Sequence, residues 1–308
     1  MTRQPLVAVE PECWRWDDVA EAVRAGGGVV VPAPEAEGLI WADPQNPDLL
    51  GPVLDAAPQL RWIQLPYAGI EPYLRFLDDE RLWTCGKGVY AEPVAEMALG
   101  MLLAGMRGLT TYLPARRWLG PEGRNLRGAA ITILGGGGIT TELLKLLAPF
   151  DCDVTVLRRH PEPLPGTSGV RMVGPGGLSD VLAGADAVVV ALALTAETRG
   201  IIDSEALALM HEHCWLVNVA RGEHVVTADL VRALTAGIIA GAALDVTDPE
   251  PLPDGHPLWD LPNCIITPHV GNTPEMGMVL LNRRVTENVR RFAAGETLLG
   301  PVNTALGY

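Results

Sequence analysis

The stretch ITILGGGGIT, residues 131–140, runs four residues of strand character straight into four glycines. A strand, a tight glycine loop and a helix, in that order, form the context in which a G-x-G-x-x-G loop holds a pyrophosphate. Gly135 and Gly137 fit that fingerprint, and Thr140 stands where the third glycine belongs. Glycine at 135 permits the sharp turn, and glycine at 137 lets backbone approach an anion. The helix that follows offers unpaired N–H groups and a partial positive charge. The usual third glycine packs helix closely on strand, so Thr140 implies either a wider gap or a hydroxyl turned back to the backbone. Alone, the loop also reads as a structural turn without a ligand.

Its surroundings decide between these readings. From Ala129 six strand segments follow, 129–134, 153–157, 185–194, 214–220, 241–246 and 264–269, with helical patterns near 140–149, 177–183, 203–211 and 226–236 between the first five. Ile139, Leu143, Leu144 and Leu147 give the helix after the loop an apolar face. Six parallel strands alternating with helices predict a doubly wound α/β dinucleotide-binding sheet. Upstream, strands at 6–10, 27–32, 38–43 and 60–66 alternate with helices at 16–26 and 46–57, a second α/β block. A long helix over 92–113, with Pro93 near its start and apolar residues most of the way round, is expected to be buried. The Pro/Gly-rich segment 114–128 reads as a linker or an exposed arm, and 273–295 as a last helix.

The chain has 308 residues, enough for two domains, and 48% of them are hydrophobic. A net charge of −14 argues against nucleic acid and against anionic membrane surfaces as partners. No apolar run suggests a secretory leader or a membrane span. Cysteines 13, 85, 152, 214 and 264 lack C-x-x-C spacing and read as reduced thiols of a cytoplasmic protein. The pair His211 and His213 suggests a metal only superficially. On a helix, residues two apart point to different faces, so no metal is expected.

The strand after the glycine loop ends in VTVLRRH. In NAD sites an acidic residue about 20 positions past the loop bonds the ribose 2′-hydroxyl. Here Arg158 and Arg159 occupy that place, two guanidinium groups suited to a 2′-phosphate. They point to NADP(H) rather than NAD(H), the bland alternative being two solvated surface charges.

Three later motifs, VNVARG (217–222), ALDVTDPEPLP (243–253) and TPH (267–269), bring an arginine, a glutamate and a histidine to strand ends. With VAEMALGMLLAGMR, LTAETRGIID and HPLWDLPN, they make the chain resemble the D-isomer-specific 2-hydroxyacid dehydrogenase family, glyoxylate/hydroxypyruvate reductases included. The resemblance runs almost continuously over 88–275 and is weaker in the first 80 residues. It implies a Rossmann coenzyme domain at 98–273 and a smaller flavodoxin-like substrate domain at 1–97. The C-terminal helix, 274–308, would return to the substrate domain, with the active site in the interdomain cleft.

Reduction of a 2-oxo acid delivers hydride to the carbonyl carbon and a proton to its oxygen. His269 suits the proton donor, Glu250 the carboxylate that keeps it charged, and Arg221 the fork that holds the substrate carboxylate and polarises the keto oxygen. The resemblance assigns these same roles. It adds Leu192, Val219 and Gly271 to the coenzyme site beside Gly135, Gly137, Gly138, Ile139, Arg158 and Arg159, and Asp245 to the nicotinamide carboxamide. For the substrate it offers the backbone of Ala68 and Gly69 in LPYAGIEPY, where Glu71 replaces the usual aspartate. Lys87 either faces the cleft or is merely solvated. Ala193 replaces a common proline. The segment PARRWLG matches an arm that packs across a two-fold axis, implying a homodimer. Rival readings are a non-catalytic dinucleotide sensor on the same fold and phosphoglycerate dehydrogenase, of which many carry a C-terminal regulatory extension. The formate dehydrogenase branch has glutamine where Glu250 stands.

Overall fold

The computed structural model describes residues 3–167 and 169–304. They form two compact units, one from the chain up to Tyr90 together with Thr273 onward, the other from Ala91–Asn272.

The first unit contains β1 (Leu6–Glu10), α1 (Trp16–Ala25), β2 (Val29–Val30), β3 (Gly38–Trp41), α2 (Leu50–Ala56), β4 (Trp62–Gln64) and β5 (Leu82–Thr84). The five strands pair with one another in parallel, and the order β2-β1-β3-β4-β5 is the flavodoxin-like one. Side chains alternate across the sheet. Val7 and Val9 enter one core with Val19 and Val23 of α1, while Ala8 enters another with Leu39, Trp41 and Ile63. Strand β5 was not expected, because three residues with Leu82 exposed leave no periodicity to read.

The second unit opens with α3 (Ala91–Met106) and α4 (Leu109–Tyr112). One continuous helix was expected there. It breaks where Gly108 takes a left-handed φ of +66°, a conformation that ends helices. The boundary between units falls at 90/91 rather than at 97/98. Ala95 and Ala98 of α3 pack into the second unit's core with Leu143 and Leu147.

There follow β6 (Ala130–Leu134), α5 (Gly138–Leu147), β7 (Asp153–Leu157), β8 (Arg171–Val173), α6 (Leu178–Ala183), β9 (Ala187–Val190), α7 (Ser204–Leu209), β10 (Trp215–Asn218), α8 (Thr227–Ala236), β11 (Gly241–Leu244) and β12 (Cys264–Ile266). The order β8-β7-β6-β9-β10-β11-β12 is wholly parallel. The six expected strands are present, and β8 is a seventh, a short edge strand with no buried residue. The chain leaves β6 outward to β8, then returns to β9 beside β6. Open α/β sheets bind ligands at that reversal, beyond the strand C-termini.

Helix α7 stops at Leu209, so His211 and His213 are not on a helix. Their rings stack 5.0 Å apart, and His213 bonds Asp186 at 2.8 Å. The helical argument against a metal pair therefore does not apply. The last helix, α9 (Pro274–Ala294), returns to the first unit, where Met278, Leu281, Val285 and Val289 join Val19, Ala22 and Val23. Among the described residues no helix is long and apolar enough to cross a membrane.

Candidate active site

The predicted coenzyme and catalytic residues of the second unit all lie at, or shortly beyond, the C-terminal ends of its strands. Gly135 follows β6, Arg158 β7, Leu192 β9, Arg221 β10, Asp245 β11 and His269 β12.

Gly135 is buried at φ +115°, and a Cβ there would lie 2.2 Å from the Ala191 carbonyl oxygen. Only glycine fits that position. Gly137, extended, caps α5, and both it and Gly138 are exposed at a helix start whose first N–H groups have no partner within the helix. Ile139 is half-buried against the core. Thr140 is fully buried, and its hydroxyl donates to the Gly135 carbonyl at 2.7 Å. The hydroxyl therefore turns back to the backbone, the second of the two alternatives.

Arg158 continues the edge of the sheet, its N–H donating to Val173 O at 2.9 Å. Its side chain passes over Gly136, where a Cβ would meet Cδ and Nε at 2.8 Å, and Nη1 donates to Glu162 O at 3.1 Å. Arg159 pairs with Glu197 at 2.8 Å, largely in solvent. Leu192 is half-buried. Val219 is buried, its N–H donating to Val190 O at 3.3 Å.

The turn after β10 is held from several sides. Buried Asn218 donates from Nδ2 to Arg221 O at 2.8 Å and accepts the Ala220 N–H at 3.0 Å. Gly222 fits so tightly that a Cβ would lie 2.0 Å from the Thr247 carbonyl. His224 is wholly buried, with Nδ1 3.3 Å from the Arg221 N–H and Nε2 3.3 Å from Ala193 O. Burial pushes its pKa below the ordinary value, outweighing the backbone bonds. Nδ1 also lies 3.0 Å from the Arg221 carbonyl oxygen, so the ring meets Arg221 through Nδ1 and Ala193 through Nε2, with the donor set by the tautomer. His224 thus ties the arginine's turn to the loop after β9. Sequence reasoning passed over it, although a histidine three residues beyond the arginine has the spacing of a capping contact.

His269 Nδ1 lies 2.7 Å from Glu250 Oε1, and Glu250 Oε2 accepts the Thr247 N–H at 3.3 Å. The hydrogen bond to Glu250 raises the His269 pKa, against burial and the nearby charge of Arg221. Burial works to raise Glu250, but the His269 bond, His269's charge, the Thr247 N–H and the Arg221 charge outweigh it and hold the carboxyl below its usual range. Arg221 thus acts electrostatically on both partners.

Asp245, 3% exposed, gathers the loop that carries the histidine. Its carboxylate accepts from Thr267 Oγ1 at 2.5 Å, Val270 N–H at 2.9 Å and Gly271 N–H at 2.8 Å, and its carbonyl accepts the His269 N–H at 2.8 Å. His269 itself sits at φ +54°, which is uncommon for a residue with a side chain. Thr267 was not singled out from sequence, since the contact spans 22 positions.

Ala68, Gly69 and Lys87 belong to the first unit. Ala68 and Gly69 follow β4 in a loop pinned by Tyr90 Oη donating to Pro66 O at 2.6 Å and by the Gly86 N–H donating to Tyr67 O at 2.9 Å. Lys87 is exposed, and its carbonyl accepts from Arg284 Nη2 at 3.1 Å.

Residues 97–271 match the family model for the D-isomer specific 2-hydroxyacid dehydrogenase, NAD binding domain. An uncharacterized protein in the proB 3′ region of Corynebacterium melassecola is 34% identical over 301 residues, covering 95% of this chain and 97% of that protein. Glyoxylate/hydroxypyruvate reductase A of Photorhabdus laumondii is 30% identical over 286 residues, covering 88% and 87%. Among solved structures, a D-isomer specific 2-hydroxyacid dehydrogenase from Xanthobacter autotrophicus Py2 in complex with NADPH and MES superposes with a TM-score of 0.86 at 28% identity, covering 99% of this chain and 100% of that one. With a family match over more than half its length and relatives aligned nearly end to end, the chain belongs to the D-isomer specific 2-hydroxyacid dehydrogenase family, whose activity is NAD(P)-dependent.

Proposed function

We propose that this protein reduces a small 2-oxo acid to the D-2-hydroxy acid, reversibly, with NADPH preferred over NADH. The second unit is the coenzyme domain and the first, with α9, the substrate domain. The observation that carries the reading is the bonded pair His269–Glu250, its histidine pKa raised, within the field of Arg221.

The residues fit a dinucleotide. The space beside Gly135 admits no Cβ, and the exposed Gly137 and Gly138 open the N-terminus of α5 toward a pyrophosphate. The reduced nicotinamide, when bound, supplies the hydride. His269 commits Nδ1 to Glu250, which leaves the Nε2 proton for the carbonyl oxygen of the substrate. Arg221 grips the substrate carboxylate and stabilises negative charge on that oxygen, while the Ala68 and Gly69 N–H groups hold the carboxylate and Lys87 adds positive charge. Arg158, arched over the glycine loop, and Arg159 receive a 2′-phosphate. The NADPH bound to the Xanthobacter protein supports this preference, and the Photorhabdus relative supports glyoxylate or hydroxypyruvate as substrates.

A cytoplasmic homodimer completes the proposal. In the arm Trp118 is 100% exposed, and Leu113 just before it 74%, apolar surface suited to a second copy. The deciding assay follows reduced-nicotinamide absorbance with each coenzyme and with glyoxylate or hydroxypyruvate, wild type beside His269→Ala. Turnover that collapses in the variant is expected. Tight coenzyme binding without turnover of any 2-oxo acid would replace the enzyme with a dinucleotide-sensing protein.

A further inference from the structure

We infer that Arg15 receives a second carboxylate of the substrate, so that the preferred 2-oxo acid is dicarboxylic. The inference rests on the 2-oxo acid reading above and narrows its substrate class.

Arg15 immediately precedes α1 and is 4% exposed, yet among the described residues its guanidinium makes one hydrogen bond, from Nη2 to the Tyr67 hydroxyl at 2.9 Å. Nε is buried without an acceptor. The rings of Trp14 and Tyr67 lie 4.8 Å and 5.5 Å from its centre. Aromatic faces attract the charge but accept no in-plane hydrogen bond, and a phenol is neutral. Buried charges are ordinarily paired, and a guanidinium presents five donors in a plane matched to a carboxylate. The chain supplies Arg15 with desolvation but no carboxylate among the described residues.

The position tells which anion it meets. Tyr67, the one hydrogen-bond partner, directly precedes Ala68 and Gly69, and the bonds at Pro66 and Tyr67 fix this loop. The 2-carboxylate held at 68–69 therefore has the Arg15 fork beside it, where the far end of a short dicarboxylic acid arrives. Trp14, whose ring lies against the guanidinium, is itself 64% exposed.

The test compares kcat/KM for pairs matched in length, oxaloacetate against 2-oxobutyrate and 2-oxoglutarate against 2-oxovalerate, in wild type, Arg15→Gln and Arg15→Lys. Wild type is expected to favour at least one dicarboxylate at least tenfold. Arg15→Gln should lower that ratio at least tenfold through KM, with Arg15→Lys between. A wild-type preference for the neutral tails, or a ratio within twofold of wild type in Arg15→Gln, overturns the inference. Should Arg15→Gln not fold, Arg15→Lys decides by the same ratio. Absence of all turnover would sink the parent reading instead. Calorimetric binding of malonate with coenzyme present then decides this one, with loss in Arg15→Gln supporting it and equal binding overturning it.

Discussion

Gly222 lies against Thr247 so closely that no side chain fits between the turn bearing Arg221 and the loop bearing Glu250. The contact joins segments 25 positions apart, and Thr247 N–H in turn meets Glu250. Gly222→Ala is expected to cost about 1–3 kcal/mol of stability through overpacking. Activity should fall further than stability, by at least about 100-fold in kcat/KM, which corresponds to roughly 2.7 kcal/mol. Thermal melts beside steady-state rates check this, and a fully active variant would refute the packing argument.

Because the Glu250 bond holds the His269 pKa above its ordinary 6.5, the imidazolium persists to higher pH than that of an unperturbed histidine. The rate of 2-oxo acid reduction should therefore fall as pH rises through the raised value. Glu250→Gln removes the carboxylate charge, so the falling limb should move to lower pH. A pH profile of kcat/KM with an unmoved limb would assign that titration elsewhere.

Arg158→Asp combined with Arg159→Ala should lower the preference for NADPH over NADH by about tenfold or more, the scale of one or two lost charge-assisted bonds. The ratio of kcat/KM for the two coenzymes is the readout. An unchanged ratio would remove the arginines from the 2′-phosphate site.

The buried hydroxyl of Thr140 closes the glycine loop onto its own helix. Thr140→Val keeps the shape and loses the bond, at a cost of about 1 kcal/mol. Coenzyme affinity should weaken with it. Fluorescence titration of the reduced coenzyme tests whether the loop depends on this tether.

At the other end of the sheet, Asp186 Oδ2 accepts the Ala130 N–H at 2.9 Å, and Oδ1 meets His213 and Arg124. Partial burial works to raise its pKa, but the Ala130 bond, His213 and Arg124 prevail and hold the carboxyl below its usual value. A depressed folded-state pKa contributes stability above the unfolded value near 3.8 that is lost as pH falls through the folded one. Asp186→Asn should therefore melt lower than wild type at pH 7, by about 2–4 °C per kcal/mol lost. The gap should close in acid, once pH has fallen through the depressed folded-state value. An equal gap at both pH values would rule out the carboxylate charge as its source.

Much of the architecture was legible because the strands are short, buried runs broken by amphipathic helices, a pattern that survives reading residue by residue. Strands β5 and β8 escaped it, each three residues long at a sheet edge with too few side chains to show a period. The histidine–glutamate pair was legible through motif order. What sequence could not show was contact across distance. The Tyr67 bond that exposes Arg15's lack of a counter-ion spans 52 positions. The three bonds that make Asp245 an organiser of the histidine loop span 22 to 26.

The return of α9 to α1 has a consequence for how the molecule comes into being. One side of the first sheet is walled by Val19 and Val23 together with Leu281, Val285 and Val289, from opposite ends of the polypeptide. A ribosome releases the contiguous unit, residues 91–272, while the earlier one still lacks its closing wall. The unit whose strands are made first is thus the last to be sealed, and until then one apolar face of its sheet stays open.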